Sequence, residues 1–183
     1  MTAVQPYFVL GVLLFALGAA FASALWSSMK QRQRSWPDLV AELEPVDFES
    51  VGVVASDYLN PMAGQISMEP EEMWRLVGGY DGLKKMCRNA RVMLQLAAYA
   101  QRWNFEEGVI VHERMRRDAS SLYHAVRCVE LGMIRRNLLG RFNFTLPFSV
   151  HEAACAYYLM RQRLLALYET SHAGLYPTLA ASL

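Results

Sequence analysis

Residues 104–138, NFEEGVIVHERMRRDASSLYHAVRCVELGMIRRNL, carry the longest regular apolar pattern of the chain. Its apolar positions follow one another at alternating spacings of four and three residues, at Met115, Ala119, Leu122, Val126, Val129 and Met133. This spacing places them on one face of an α-helix. Asn104 and Glu107 form a capping-box pattern at the start, and Gly140 lies just beyond the end. The stretch therefore predicts one long helix with a single buried face.

Two further long helices are predicted on either side of it. The first covers residues 82–103 and is apolar over so wide an arc that we expect it to be the central helix. The second begins at Ser149, which forms a capping-box pattern with Glu152, and ends near Ser171. Near the C-terminus, the tyrosines Tyr157, Tyr158, Tyr168 and Tyr176 suggest a contact surface, since tyrosine is favoured in interfaces.

Shorter helices are expected before residue 82. Asp47 has the character of an N-cap for a segment reaching Leu59, and Pro70 suits the first turn of a helix that Gly78 and Gly79 end. No β-strand alternation of convincing length occurs in the sequence. The predicted fold class is all-α, with a single N-terminal transmembrane helix followed by an antiparallel helical bundle.

The transmembrane helix is predicted from residues 1–29, which contain no charged side chain. Residues 7–26 are apolar or small throughout, and twenty residues span about 30 Å as a helix, the thickness of the hydrocarbon core. Aromatic and basic side chains are expected at the lipid headgroups, at Tyr7, Trp26, Lys30, Arg32, Arg34 and Trp36. Because the basic residues follow the segment, the N-terminus is expected outside and residues 30–183 in the cytoplasm. The predicted location is the inner cell membrane.

A cleaved signal peptide is the competing interpretation of this segment. Residues 20–22 and 22–24 both resemble the small-residue pattern before a cleavage site. However, the usual basic n-region is missing and the apolar stretch is longer than a typical h-region. Small residues also recur along the segment, which suits close packing against another transmembrane helix, at Ala16, Gly18, Ala20, Ala22 and Ala24.

The domain organisation predicted from these features has three parts. Residues 1–29 form the anchor, residues 30–36 a basic tether, and residues 37–183 a cytoplasmic helical domain. Within that domain, residues 37–81 hold ten acidic side chains and one basic, whereas residues 82–183 hold fourteen basic and seven acidic. This asymmetry favours an acidic part (37–81) that packs against a basic part with three long helices (82–183). A basic surface that meets anionic lipid or an acidic partner is the alternative.

Two histidine–cysteine pairs have the spacing of metal ligands. His124 and Cys128 are four residues apart on one predicted helix, and His151 and Cys155 repeat the spacing on the next. Antiparallel pairing would leave the two histidines about 16 Å apart along the helix axis, too far for one zinc ion. Both pairs also point away from the predicted apolar faces, so we expect them to be exposed and predict no metal site.

His112 is the one histidine that extends an apolar face. We expect it to be partly buried and hydrogen-bonded within the core. Its neighbour Glu113 is expected to pair with Arg117 on the outer surface of the helix. If the bundle contained a ligand pocket, the polar residues first expected to point into it would be His112, Glu130 and either Arg91 or Arg88.

Motif searches indicate no particular chemistry. The sequence has no phosphate-binding glycine loop, no Gly-x-Ser-x-Gly, no His-Glu-x-x-His and no Cys-x-x-Cys, so no catalytic residue and no cofactor is predicted. The arginines of residues 114–136 are spread around the helix, which argues against nucleic-acid binding.

The sequence thus predicts a non-catalytic interaction or assembly module, such as an accessory subunit of a membrane complex. Its predicted partners are membrane lipid and either another protein or a second copy of the chain, through the anchor and the helical domain. A membrane-tethered enzyme or ligand-binding domain with a pocket inside the bundle is the alternative. A third possibility is a sensor of anionic lipid.

Overall fold

The computed structural model describes residues 34–60, 68–139 and 146–183. These residues form seven α-helices and no β-strand, which confirms the all-α prediction for this part of the chain. None of the helices in these ranges is both long and apolar enough to cross a bilayer. The predicted anchor and most of its interface and packing residues lie outside the described residues, namely Tyr7, Ala16, Gly18, Ala20, Ala22, Ala24, Trp26, Lys30 and Arg32.

The helices follow one another through short connections. Their bounds are α1 Trp36–Ala41, α2 Phe48–Leu59, α3 Pro70–Leu76, α4 Gly79–Ala100, α5 Phe105–Leu139, α6 Leu146–Ser171 and α7 Tyr176–Ser182. The predicted caps of α2 and α5 are present: the Ser50 amide donates to the Asp47 carboxylate (3.2 Å), and the Glu107 amide donates to the Asn104 side-chain oxygen (3.3 Å). These side chains satisfy amides that have no partner within the helix.

The chain divides into two compact units, Met1–Ser35 and Trp36–Leu183. The second unit, called here the helical unit, starts with α1. Trp36 was predicted to lie in the tether and at the lipid headgroups. In the structure it belongs to the core instead: the residue is 8% exposed, and its indole packs against Tyr168. Of the predicted interface residues, Arg34 is exposed.

The central helix is α6 rather than α4. It packs against α2, α3, α4, α5 and α7, and its buried residues cover most of the circumference of the helix. Three of them, Ala153, Ala154 and Ala156, are small enough to let neighbouring helices approach closely. The wide apolar arc of α4 therefore did not identify the central helix. A helix that is covered over most of its circumference need not be the most hydrophobic one.

The start of α6 also differs from the prediction. The helix begins at Leu146, so Ser149 lies inside it and is buried instead of capping it. By contrast, the apolar face predicted for α5 is confirmed. Its members from Met115 to Val129 are buried, and Met133 is half-buried at the edge of the core.

The corner between α3 and α4 depends on glycine. Gly78 and Gly79 have positive φ angles of 72° and 62°, a left-handed conformation that L-residues rarely adopt. One turn further on, a Cβ atom at Gly82 would lie 1.8 Å from the carbonyl oxygen of Val77. The predicted end of α3 at the two glycines is confirmed, and α4 begins at the second of them, Gly79, where the lack of a side chain at Gly82 allows the close approach to Val77.

Candidate functional surfaces

The polar residues proposed to line an internal pocket lie at separate places. His112 Nδ1 is 2.9 Å from the side-chain nitrogen of Gln101, and burial lowers the pKa of His112. Glu130 accepts a hydrogen bond from the Tyr80 hydroxyl at 2.5 Å. Arg88 forms an ion pair with Glu44 at the surface. Each is thus engaged in its own structural contact, and the three do not converge on one another.

His112 itself is as predicted, half-buried and hydrogen-bonded. Glu113 contacts Arg117 at 3.7 Å, as predicted, and also Arg116 at 3.3 Å. These exposed pairs contribute only about 0.3–0.5 kcal/mol each. They keep the middle of the outer face of α5 polar.

The two histidine–cysteine pairs occupy different environments. His124 Nε2 lies 3.6 Å from Cys128 Sγ on the outer face of α5. His151 and Cys155 were expected to be exposed, but they are buried because α6 is surrounded by other helices. Within the described ranges, no three His, Cys, Asp or Glu side chains come together as metal ligands would.

His151 forms a buried contact that joins α2 to α6. Its Nε2 atom lies 3.1 Å from Asp57 Oδ2, and its Nδ1 atom lies 3.1 Å from the carbonyl oxygen of Pro147. The same Asp57 oxygen accepts a hydrogen bond from the Met68 amide at 3.2 Å. Because both ring nitrogens face oxygen acceptors, neither is left to exchange a proton with a substrate. The contact therefore has the features of a structural tie.

The surroundings of this tie are aromatic and partly exposed. Tyr58 stacks on the His151 ring at 6.3 Å and meets Phe148 edge-on at 5.7 Å. Phe148 is 52% exposed. We call this group, Asp57, Tyr58, Phe148 and His151, the histidine end of the helical unit. The role of Asp57 could not be predicted from the sequence, because no local pattern links it to His151, 94 positions away.

The opposite end of the unit is built around Tyr168. Its hydroxyl accepts a hydrogen bond from the Trp36 indole (3.1 Å) and donates one to the carbonyl oxygen of Leu96 (2.9 Å). Trp103 lies edge-on to Tyr168 at 6.2 Å and against His172 at 4.7 Å. We call this group, Trp36, Trp103, Tyr168 and His172, the aromatic end. Tyr157 and Tyr168 are fully buried, so the predicted tyrosine contact surface is wrong for these two residues.

Large apolar side chains are exposed at both ends of α5. Trp103 is 42% exposed and Phe105 is 70% exposed, and Val109 and Ile110 follow within two turns. Leu131 and Ile134 are exposed about 39 Å further along the helix axis, at 1.5 Å per residue. Exposed apolar side chains that are grouped in this way indicate a binding surface more often than scattered ones do.

A cavity of about 390 Å³ lies between α2, α3 and α4. Charged side chains of both signs line it, at Asp47, Arg75, Asp81 and Lys85. The Asp47 carboxylate is already engaged by Ser50. None of the four residues predicted for an internal pocket, His112, Glu130, Arg91 and Arg88, lines this cavity.

Comparisons with other proteins add no relative to these observations. A scan against protein-family models finds no match to the chain, and searches of curated proteins and of solved structures find no similar protein.

Proposed function

We propose that this protein is a single-pass, membrane-anchored interaction module. Residues 7–26 hold it in the inner membrane with the N-terminus outside, and the helical unit binds a protein partner on the cytoplasmic side. The uncharged N-terminal sequence and the basic residues that follow it support this location. An accessory subunit of a membrane complex fits such a module.

One observation carries the non-catalytic part of the proposal. The polar side chains with catalytic potential are held in three separate structural contacts: His112 with Gln101, Glu130 with Tyr80, and Asp57 with His151. Large apolar side chains are exposed instead, at both ends of α5. A catalytic site needs polar groups that converge on a shared reacting atom, whereas an interaction surface needs accessible apolar area.

The experiment is crosslinking of the full-length chain in its native membrane, followed by mass spectrometry. We expect the chain to remain in the membrane pellet after alkaline carbonate extraction and to crosslink reproducibly to one protein partner. Replacing Ala16, Ala20 and Ala24 by leucine should weaken that crosslink, because bulky side chains separate helices that pack through small residues. Leu14→Ile, which changes the shape of a side chain but adds no bulk at the small-residue positions, is the control.

Two results would contradict the proposal. One is release of the chain by carbonate, which would place it outside the bilayer. The other is a chain that behaves as a free monomer after mild solubilisation, with no crosslinked partner in the native membrane.

A further inference from the structure

The helical unit begins at its aromatic end. Trp36 is the first residue of the unit, and its indole nitrogen donates to the Tyr168 hydroxyl at 3.1 Å. The ring of Trp103 lies 6.2 Å from that of Tyr168. The chain therefore enters the helical unit close to the exposed side chains Trp103 and Phe105, and far from Phe148 and Leu131.

We propose that Trp103, Phe105 and Val109 form a surface that inserts into the interfacial region of the phospholipid bilayer. This inference rests on the proposed function, since the bilayer is the one that residues 7–26 are proposed to span. The inserted side chains give the unit a second, non-covalent attachment to lipid and thereby set which of its ends faces the membrane.

Chain length supports this assignment. Ten residue steps separate Trp26, at the end of the predicted anchor, from Trp36, and a fully extended chain covers at most about 35 Å in ten steps. The first residue of the aromatic end can therefore lie no farther than about 35 Å from the end of the predicted anchor. Leu131 lies about 39 Å beyond Phe105 along α5, so the tether limits its distance from the predicted anchor much less closely than that of the aromatic end.

The chemistry of the surface also fits lipid. Tryptophan and phenylalanine are favoured at the membrane interface, where an apolar ring is buried beside polar headgroups. Phe105 is the most exposed large apolar residue that the structure describes, at 70%. Charge at this end is mixed, because Arg102, which lies over the Tyr99 ring, is close in sequence to Glu106 and Glu107. Insertion should therefore depend on apolar contact and not on anionic headgroups.

The test uses the full-length protein in lipid nanodiscs with a photoreactive phenylalanine analogue, benzoylphenylalanine, in place of one residue. The analogue at Phe105 should form lipid adducts on irradiation, detected by mass spectrometry. The analogue at Phe148, an exposed phenylalanine at the histidine end, is the matched control. We expect at least a fivefold higher lipid-adduct yield at position 105, in phosphatidylcholine alone and with phosphatidylglycerol added.

Equal yields at the two positions, or protein adducts in place of lipid adducts at position 105, would overturn the inference. A yield at 105 that required phosphatidylglycerol would overturn it too, in favour of a sensor of anionic lipid. Carbonate extraction of the same samples separates the two proposals. A chain that resists extraction but gives no lipid adduct at 105 refutes only this inference, whereas a chain that is extracted refutes the membrane anchor as well.

Discussion

At the aromatic end of the helical unit, the Tyr168 hydroxyl joins the Trp36 indole to a backbone carbonyl of α4. At the histidine end, the His151 ring joins Asp57 to a backbone carbonyl of α6. Both ties link residues far apart in sequence, by 132 and 94 positions. They differ in the groups they bury. One uses neutral hydroxyl and indole groups, whereas the other buries a carboxylate beside an imidazole.

This difference has an energetic consequence. A neutral hydrogen bond contributes about 1 kcal/mol net, because water offers similar partners to the unfolded chain. A buried carboxylate–histidine contact contributes little net stability as a pair, but removing one partner leaves the other desolvated and uncompensated. The histidine end should therefore tolerate substitution less well than the aromatic end.

The largest effect is expected for Asp57→Ala. Removing the carboxylate leaves the buried His151 ring and the Met68 amide without this acceptor, and we expect a loss of about 3–5 kcal/mol in the free energy of unfolding. Urea denaturation of the full-length protein in detergent micelles measures it. The control is Glu49→Ala on the exposed side of the same helix, which should change stability by less than about 0.5 kcal/mol. If Asp57→Ala lowered the free energy of unfolding no more than Glu49→Ala does, the contact between Asp57 and His151 would not be needed for stability.

A smaller effect is expected for Tyr168→Phe. This change removes only the hydroxyl and leaves the buried Trp36 indole N–H without its partner, at a cost of about 1–3 kcal/mol. The matched control is Tyr158→Phe, whose ring stacks on Phe48 at 5.2 Å at the edge of the same helix. If Tyr168→Phe destabilised the protein more than Asp57→Ala, the comparison between the two ends would be reversed.

The pH dependence of stability should reveal His112, near the aromatic end. Burial lowers its pKa in the folded state, so the folded protein binds this proton less readily than the unfolded chain does. The contribution of His112 to stability is therefore complete above its pKa in the unfolded chain, about 6.5. It is lost as the pH falls through the lower pKa of His112 in the folded protein. Thermal unfolding should show a smaller loss of Tm on acidification for His112→Gln than for the unsubstituted protein. Identical pH profiles would contradict this assignment.

The smallest effect concerns the reactivity of two cysteines, Cys155, which is buried, and Cys87, which is half-buried. Burial raises the pKa of Cys87 to about 11 and also raises the pKa of Cys155, so both thiols should be alkylated slowly by iodoacetamide near neutral pH. Cys155 lies one helical turn from His151. Asp57→Ala should therefore accelerate alkylation of Cys155 by about tenfold while leaving Cys87 nearly unchanged, because only the histidine end opens. Equal acceleration at both cysteines would indicate general unfolding, and mass spectrometry distinguishes the two outcomes.

Local patterns in the sequence were sufficient for part of this structure. The four-and-three spacing from Met115 to Met133 predicted both the helix α5 and its buried face, because helix periodicity is a property of the local chain. The caps at Asp47 and Asn104 were predictable for the same reason, since each cap involves residues only three positions apart.

The candidate surfaces were less predictable. The exposure of Phe105 and Phe148 follows from which neighbours cover α5 and α6, and no spacing rule specifies those neighbours. Ser149 shows the same limit: its capping pattern was present, yet the helix starts at Leu146, because packing of the first turn against neighbouring helices can outweigh a local signal.

The amino-acid sequence by itself determined the helical class, most helix bounds in the described ranges and the inward face of α5, since these depend on contacts between residues three or four positions apart. Only the tertiary structure decided that α6 is central, that Trp36 is buried and that His151 meets Asp57. Those outcomes depend on contacts between residues 94 to 132 positions apart, where the geometry is set by how whole helices pack and no longer by the local chain.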